Sequence, residues 1–265
     1  MPASPNWTPA FAGVGGEEIP GRRLAYAALP MTPLWLAIGF CTRLPVPRVA
    51  ADAGARAAAV RWFPVAGLLV GLAVAGGAMV GARVDPWLGA LAALALWTGL
   101  TGALHLDGLA DLVDGLGAAH GDRTRLLAVM ADPHIGSFGT VAIQLQLLAK
   151  LVLLHALGPT AWPALVLVPV AARCGPLAWA RWLPPLKPGL GAGIAAGVRM
   201  RDLVGWGLAL LGFGLVRPGL FAAPLLILLW GLYLKRRIGG VTGDAHGAGI
   251  ETVETLLLLA LVIAA

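Results

Sequence analysis

The amino-acid sequence predicts an all-α fold, a polytopic bundle of transmembrane helices with about seven spans and a short interfacial or re-entrant N-terminal helix. Of its 265 residues, 58% are hydrophobic and only 12% are charged, whereas soluble proteins carry about 25% charged residues. The mean hydropathy is +0.83. A soluble fold could not hide so much apolar surface from water, so we expect the lipid bilayer to be both solvent and partner of this chain.

The predicted spans are apolar runs near the length of about 17 to 25 residues that crosses the hydrocarbon core. Uninterrupted runs lie at 62–82, 86–105, 137–157, 160–178 and 249–265. Arg217 and Pro218 divide a further apolar stretch into two shorter spans, 203–216 and 218–234. Residues 32–42 are apolar but too short to cross, which predicts the interfacial or re-entrant helix.

The domain organisation follows from what surrounds these spans. No polar linker or repeat divides the chain after Arg61, so residues 31–265 are expected to form a single transmembrane catalytic domain. Residues 1–30 contain two glutamates and several prolines and lack the apolar core of a signal peptide, which predicts a flexible cytoplasmic tail. Cys41 and Cys174 lack the spacing of a metal site, so we expect neither to be functional.

The lysines and arginines predict the orientation, because these residues stay preferentially in the cytoplasm. When the loops are numbered alternately, fifteen of the 19 fall on the N-terminal side and only Arg83 and Arg217 on the other. The chain is therefore expected in the bacterial inner membrane with a cytoplasmic N-terminus and a periplasmic C-terminus. The basic residues form no patch interleaved with aromatics, so no nucleic-acid partner is expected despite the net charge of +6.

Eight of the 13 acidic residues gather in two windows, both at cytoplasmic ends of predicted spans. In the first window, Asp107, Asp111 and Asp114 follow a spacing of i, i+4 and i+7, which places three carboxylates on one helical face. Like charges on one face repel each other, and a hard divalent cation such as Mg²⁺ removes that conflict through oxygen ligands. A solvated polar face is the simpler interpretation, but the other residues of these turns are apolar.

The second window places Asp244 and Glu251 seven residues apart, again on one face, with glycine and alanine between them. If this helix packs against the first, both carboxylates would complete a metal and phosphate site; the alternative is a small-residue packing motif with Thr242 as N-cap.

Cationic and glycine-rich segments predict where a phosphate would bind. Between the two windows, Arg123 and Arg125 precede Gly136-Ser-Phe-Gly139, whose backbone amides suit an anion at the start of a span. Arg173, one turn from a cytoplasmic helix end, could also reach an anionic substrate. Lys150 lies nearer the outer end of its span and is expected to snorkel to the far interface.

Five strings in this sequence resemble the cobalamin synthase family, the adenosylcobinamide-GDP ribazoletransferases, in the order in which they occur. They are Thr42-Arg-Leu-Pro-Val-Pro47, Phe63-Pro-Val-Ala-Gly67, His105-Leu-Asp-Gly-Leu-Ala-Asp111 with Asp114-Gly115, Met130 to Gly139, and Gly239-Gly-Val-Thr-Gly-Asp244 followed by Gly247-Ala-Gly-Ile-Glu251. The sequence departs from the family at Leu112, where a threonine is usual, and at Ala131 and His134, which replace basic residues.

The resemblance implies an Mg²⁺-dependent inner-membrane enzyme that joins adenosylcobinamide-GDP to α-ribazole or α-ribazole 5′-phosphate. GMP would be released, and adenosylcobalamin or its 5′-phosphate formed. In this interpretation Asp107, Asp111 and Asp244 bind the metal, and Asp114 is the general base, with Glu251 as the alternative. The expected substrate or phosphate contacts are His105, Arg123, Arg125, Asp132, His134, Arg173 and His246.

A membrane transporter with an acidic cation site is the alternative from another class of protein. Transporter sites usually lie near the bilayer midplane between repeated halves of the chain. Here the acids gather at one interface and no internal repeat is evident, so the sequence favours an enzyme.

Overall fold

A computed structural model describes residues 31–187 and 190–265, except for the side chains of 190–192. The predicted tail at 1–30 therefore lies outside the described residues. Regular structure in the described part is helical, apart from one isolated parallel bridge between Pro185 and Val241. The predicted all-α class is confirmed.

The described residues form thirteen α-helices joined by short loops and by 3₁₀ turns. They are α1 (Thr32–Cys41), α2 (Ala53–Ala59), α3 (Phe63–Gly81), α4 (Pro86–Thr101), α5 (Leu104–Ala119), α6 (Arg123–Val129), α7 (Ser137–Leu157), α8 (Trp162–Ala172), α9 (Gly175–Trp182), α10 (Leu190–Gly197), α11 (Met200–Val216), α12 (Ala222–Arg237) and α13 (Gly243–Ile263).

Within the described ranges, five helical segments are long and apolar enough to cross a membrane, so the chain is a membrane protein. They are Ala53–Gly81, Ser137–Leu157, Pro159–Trp182, Pro218–Arg237 and Gly243–Ile263. A sixth is counted if the bent pair α4 and α5 forms one span. Helix α11, which covers the predicted span 203–216, has only 17 residues and falls short of this group, so the count of seven is not confirmed.

An elbow separates α4 from α5, where the sequence predicts the end of a straight span at residue 105. The two helix axes differ by 82°. Gly102 and Ala103 both have positive φ, 59° and 57°, a conformation that ends a helix. Arg43 secures the turn, since its backbone N–H donates to the Leu100 carbonyl at 2.6 Å and its aliphatic stem lies on Gly102. The acidic helix α5 is therefore an element of its own.

Glycines let the long helices of the bundle approach each other closely. On α3, a Cβ at Gly67 would stand 2.5 Å from the Pro169 carbonyl of α8, and a Cβ at Gly71 would meet the backbone of Val166. Helix α13 packs against α5, α7, α8 and α12, with Leu257 and other buried residues in the main apolar core. Helices in lipid are not held together by the hydrophobic effect, and small residues at such contacts allow the close van der Waals packing that holds them instead.

Two of the three loops predicted on the outer side of the membrane come together at one end of the bundle. Arg217 lies beside Thr160, to whose carbonyl its guanidinium donates at 3.4 Å, and both line a shallow cavity with residues 264 and 265. The loops that carry the first acidic window and the start of α13 lie at the other end, where Lys187 contacts both Met130 and Asp244. The start and the end of α13 therefore lie at opposite ends of the bundle.

Candidate active site

The two acidic helices touch each other through their backbones. A Cβ at Gly108 of α5 would lie 2.7 Å from the carbonyl oxygen of Asp244 and 3.0 Å from its Cα, and a Cβ at Gly247 of α13 would lie 3.3 Å from the Cα of His105. At Gly108 only glycine permits this approach, and at Gly247 a larger residue would be tightly packed. The helix of the second acidic window therefore packs against the helix of the first, as the predicted metal and phosphate site requires.

This crossing collects three carboxylates at one end of the bundle. Asp111 is within electrostatic range of Asp107 on its own helix and of Asp244 on α13. Asp107 is exposed, while Asp111 and Asp244 are half-buried. We call Asp107, Asp111 and Asp244 the carboxylate cluster. These side chains repel one another when they are ionised, and a bound cation relieves that repulsion, so the cluster attracts cations.

Lys187 is a member of this region that the sequence analysis missed. Its Nζ lies 3.9 Å from Oδ2 of Asp244 and donates to the carbonyl of Met130 at 3.4 Å. In the sequence, Lys187 is one of many basic loop residues whose presence is already explained by the membrane orientation. Its position depends on a contact between segments more than fifty residues apart, and no local spacing signals such a contact.

That contact is the parallel bridge between the loop after α9 and the loop before α13. Leu186 N–H donates to the Val241 carbonyl at 2.9 Å, and Val241 N–H donates to the Pro184 carbonyl at 2.9 Å. Thr242 then caps α13, because its Oγ1 accepts from Ala245 N–H at 3.1 Å, as the alternative interpretation of this window expected. The bridge thus sets Lys187 next to the first turn of α13.

Asp114 joins α5 to the start of α7. Its Oδ2 accepts from Gly136 N–H at 2.7 Å and its Oδ1 from Gly139 N–H at 2.8 Å, and a Cβ at either glycine would collide with the carboxylate. Two of the four amides predicted to bind a substrate phosphate therefore donate to the protein's own carboxylate. This geometry favours a helix-capping role for Asp114, the residue predicted as general base.

Glu251 and Arg173 belong to a buried ion-pair network of α7, α8 and α13. Lys150 Nζ donates to Glu251 Oε2 at 2.7 Å and to Glu254 Oε2 at 2.6 Å, and Arg173 Nη1 donates to Glu254 Oε1 at 2.8 Å. Gln146 adds a hydrogen bond of 2.9 Å to Glu251 Oε2. The side chains of the four charged residues are at most 4% exposed.

The network corrects the expectation for Lys150. Instead of reaching the far interface, this lysine points into the bundle, where Trp97 also lies 4.4 Å from Nζ. The reason is that two glutamates of α13 face it, and a buried charge is tolerated only when it is paired. Glu251 was predicted as the alternative base and Arg173 as a substrate contact. In the structure, Glu251 pairs with Lys150 and Arg173 pairs with Glu254 in the core, so neither belongs to the carboxylate cluster.

The two predicted histidines of the acidic windows are buried. His105 is 3% exposed, and its Nδ1 has no hydrogen-bond partner within the described part of the chain. His246 is 7% exposed, stacks on Trp179 with 6.0 Å between ring centroids, and neither of its ring nitrogens has a partner there. Both flank the contact between α5 and α13 rather than an open surface.

The remaining predicted contacts lie on the loops around the cluster. Arg123 begins α6, and its guanidinium lies over Gly239 in the loop before α13, while Arg125 is exposed on α6. Asp132 and His134 bond each other at 2.6 Å in an exposed loop, where the backbone N–H and the ring of His134 lower the pKa of Asp132. Arg123 is thus the predicted cation that contacts the α13 loop.

The carboxylate cluster offers suitable donors for Mg²⁺ but no complete coordination shell. Among the described residues, no three His, Cys, Asp or Glu side chains already converge on a metal-sized position. The donors are nevertheless suitable, since all are carboxylate oxygens and all are at least partly exposed. Mg²⁺ usually binds one or two carboxylates and completes its shell with water and substrate phosphates, so a finished protein cage is not required.

A helical membrane protein with a carboxylate cluster and a lysine at one end of the bundle has the arrangement of an integral membrane enzyme that handles phosphate-linked substrates. The chain belongs to the cobalamin-5-phosphate synthase family, whose model matches residues 33–262. The family resemblance stated from the sequence motifs is therefore confirmed.

Curated relatives support the same membership. A protein of Novosphingobium aromaticivorans named adenosylcobinamide-GDP ribazoletransferase is 57% identical over 86% of this chain and 95% of its own length. Proteins of the same name from Thiobacillus denitrificans and Brevibacillus brevis are 51% and 36% identical, over 86% and 85% of this chain and 94% and 96% of their own lengths. No solved structure matches the chain significantly.

Replacing Lys150 by methionine should destabilise the protein. The change leaves Glu251 without its lysine and the buried network with excess negative charge, which costs about 3–5 kcal/mol when one partner of a buried pair is removed. The measurement is thermal unfolding of the detergent-solubilised protein. Leu148→Met on the same helix, at a side chain that is 58% exposed, is the matched control and should unfold like the wild type. Equal unfolding temperatures for both variants would contradict a stabilising network.

Replacing Gly139 by alanine should break the link between α5 and α7. The added methyl collides with the Asp114 carboxylate, so a hydrogen bond to a charged group is lost, at a cost of about 1.5–3 kcal/mol. Gly76→Ala on α3, where a Cβ meets nothing within 4 Å, should instead leave stability equal or raise it by about 0.5–1 kcal/mol. Unfolding temperatures of the two variants provide the comparison, and a Gly139→Ala protein as stable as Gly76→Ala would show that Asp114 can shift freely.

Proposed function

We propose that this chain is an adenosylcobinamide-GDP ribazoletransferase that joins adenosylcobinamide-GDP to α-ribazole or α-ribazole 5′-phosphate and releases GMP. Relatives that carry this name align over nearly their whole length at 57% and 51% identity. The observation that carries the proposal is the carboxylate cluster, because clustered oxygen donors beside a lysine suit a diphosphate substrate and its counter-ion.

The proposed reaction is a displacement at phosphorus. The ribazole hydroxyl oxygen forms a bond to the phosphorus that bears cobinamide, and the bond from this phosphorus to the bridging oxygen breaks, so that GMP leaves with that oxygen. Two carboxylates of the cluster, Asp107 and Asp244, would hold Mg²⁺, which when bound offsets the charge of the diphosphate. The residues of this chain mainly orient the two substrates, since phosphoryl transfer depends on positioning and electrostatic stabilisation.

The proton of the ribazole hydroxyl needs an acceptor. Asp114 and Glu251, the residues predicted from the sequence, have carboxylate oxygens engaged by α7 amides and by Lys150. Because Mg²⁺ usually takes only one or two carboxylates, one member of the cluster stays free for the proton. We assign this role to Asp111, which is within electrostatic range of both Asp107 and Asp244.

Removing the charge of a cluster carboxylate should abolish turnover. Asp107→Asn and Asp111→Asn are nearly isosteric, and each should lower Mg²⁺-dependent GMP release about 100-fold or more. Release is measured chromatographically with adenosylcobinamide-GDP and α-ribazole. Asp85→Asn is the matched control, because Asp85 caps α4 at the other end of the bundle and asparagine caps equally well.

A variant of Asp114 separates the two assignments of the base. Asp114→Asn should lower the unfolding temperature through its lost cap and reduce turnover less than Asp111→Asn does. A stable Asp114→Asn protein with turnover as low as that of Asp111→Asn would favour Asp114 as the base. Near-normal turnover in both Asp107→Asn and Asp111→Asn would overturn the proposed site.

For the membrane topology, we propose seven crossings in the inner membrane, with α11 as the crossing of 17 residues. The pairing of Arg217 with the loop at Thr160 at one end of the bundle supports this count, since α11 ends at Val216 beside that loop. The N-terminus and the carboxylate cluster are then cytoplasmic and the C-terminus periplasmic.

Reporter fusions test this topology. Alkaline phosphatase fused after Ala265 should be active, because that enzyme folds only outside the cytoplasm, whereas the same reporter fused after Lys187 should be inactive. An inactive reporter at both positions would show that the number of crossings is even.

A further inference from the structure

Two lysines contact acids in this structure, and their environments differ. Lys150 is buried and makes two contacts of 2.6 and 2.7 Å to glutamates. Lys187 is one-third exposed, with 3.9 Å between Nζ and Oδ2 of Asp244, which is too long for a hydrogen bond. The other contact of Lys187 is a long hydrogen bond of 3.4 Å to the Met130 carbonyl. Lys150 is therefore fixed within its network, whereas the ammonium group of Lys187 can be redirected at little cost.

The backbone that carries Lys187 is nevertheless firmly placed. The two hydrogen bonds of the bridge hold Pro184 and Leu186 against Val241, and a Cβ at Gly240 would collide with this segment. Leu183 and Val241 on either side are 5% and 4% exposed. A loosely held ammonium on a fixed backbone can swing between an internal acid and a ligand without any change of fold.

The negative charge of the carboxylate cluster and its ligand calls for a second cation, such as the Lys187 ammonium. Three carboxylates and a substrate diphosphate carry more negative charge than one divalent cation neutralises. Among ion pairs of the described residues, only that of Lys187 involves the carboxylate cluster. A lysine ammonium is a compact point charge on a flexible stem and is well suited to a phosphate oxygen.

We propose that Lys187 is a substrate-binding residue that alternates between two anions. In the free protein it offsets the charge of Asp244, and when a divalent cation and the diphosphate substrate occupy the cluster it donates to a phosphate oxygen. This rests on the proposed function, in that the cluster is taken as the diphosphate site. It follows that Lys187 opposes cation binding in the free protein and supports substrate binding in the loaded protein.

The test is Lys187→Gln in the full-length, detergent-purified protein. Without substrate, Mn²⁺ binding followed by electron paramagnetic resonance should become several-fold tighter, because Asp244 loses its competing ammonium. With Mg²⁺ present, binding of GDP as a diphosphate probe should weaken about tenfold, and the KM for adenosylcobinamide-GDP should rise similarly, with kcat changing less. Lys187→Arg should restore GDP binding at least in part.

A matched control and the opposing results complete the experiment. Lys235→Gln removes an exposed lysine at the end of α12 and should change none of these quantities. Unchanged Mn²⁺ and GDP affinities in Lys187→Gln, or a joint weakening of both, would overturn the proposal, since a purely structural lysine weakens both together. A wild-type protein that releases no GMP would count against the proposed function instead, while the two binding measurements would still decide the role of Lys187.

Discussion

The contact between α5 and α13 is the constraint on which the candidate site depends. Gly108 and Gly247 bring the two backbones together where side chains would hold them apart. With the helices at this distance, Asp107 and Asp111 share one region with Asp244. An alanine at Gly108 would push α13 away and separate the acids, although each carboxylate would keep its place on its own helix.

Two groups of charged residues in this chain have different environments. In the ion-pair network, Lys150, Arg173, Glu251 and Glu254 are removed from water, and each charge is balanced within the bundle. The network therefore sets the axial position of α13 between α7 and α8. The carboxylate cluster at the helix ends is left with excess negative charge and partial access to water, as a site for a cation and a phosphate requires.

Much of the site was predictable from local spacing. The i, i+4, i+7 pattern placed Asp107 and Asp111 on one face, and the glycines around Asp244 indicated a close helix contact. The elbow was not predictable in this way, because hydropathy continues through Gly102 and Ala103 and only their backbone conformation ends α4. Sequence patterns report periodicity along one helix, whereas the elbow depends on the docking of Arg43 from an earlier segment.

Long-range contacts account for the other differences. Asp114 shares a helical face with Asp107 and Asp111, yet its carboxylate accepts hydrogen bonds from the amides of Gly136 and Gly139, which lie 22 and 25 residues later in the chain. Lys187 reaches Asp244 only because a two-bond bridge aligns two loops. The acidic partners of Lys150 lie more than one hundred residues away, so no window of neighbouring residues reveals them.

The elbow at Gly102 also determines how the protein meets the bilayer. If α4 and α5 formed one straight helix, its 34 residues from Pro86 to Ala119 would extend about 50 Å, well beyond a hydrocarbon core of about 30 Å. The acids would then stand on a stalk in open water. Because the chain turns through 82°, α5 lies across the end of the bundle. The carboxylates of α5 are thus held close to the ends of the other helices, where the start of α13 can meet them, instead of projecting away from the bundle.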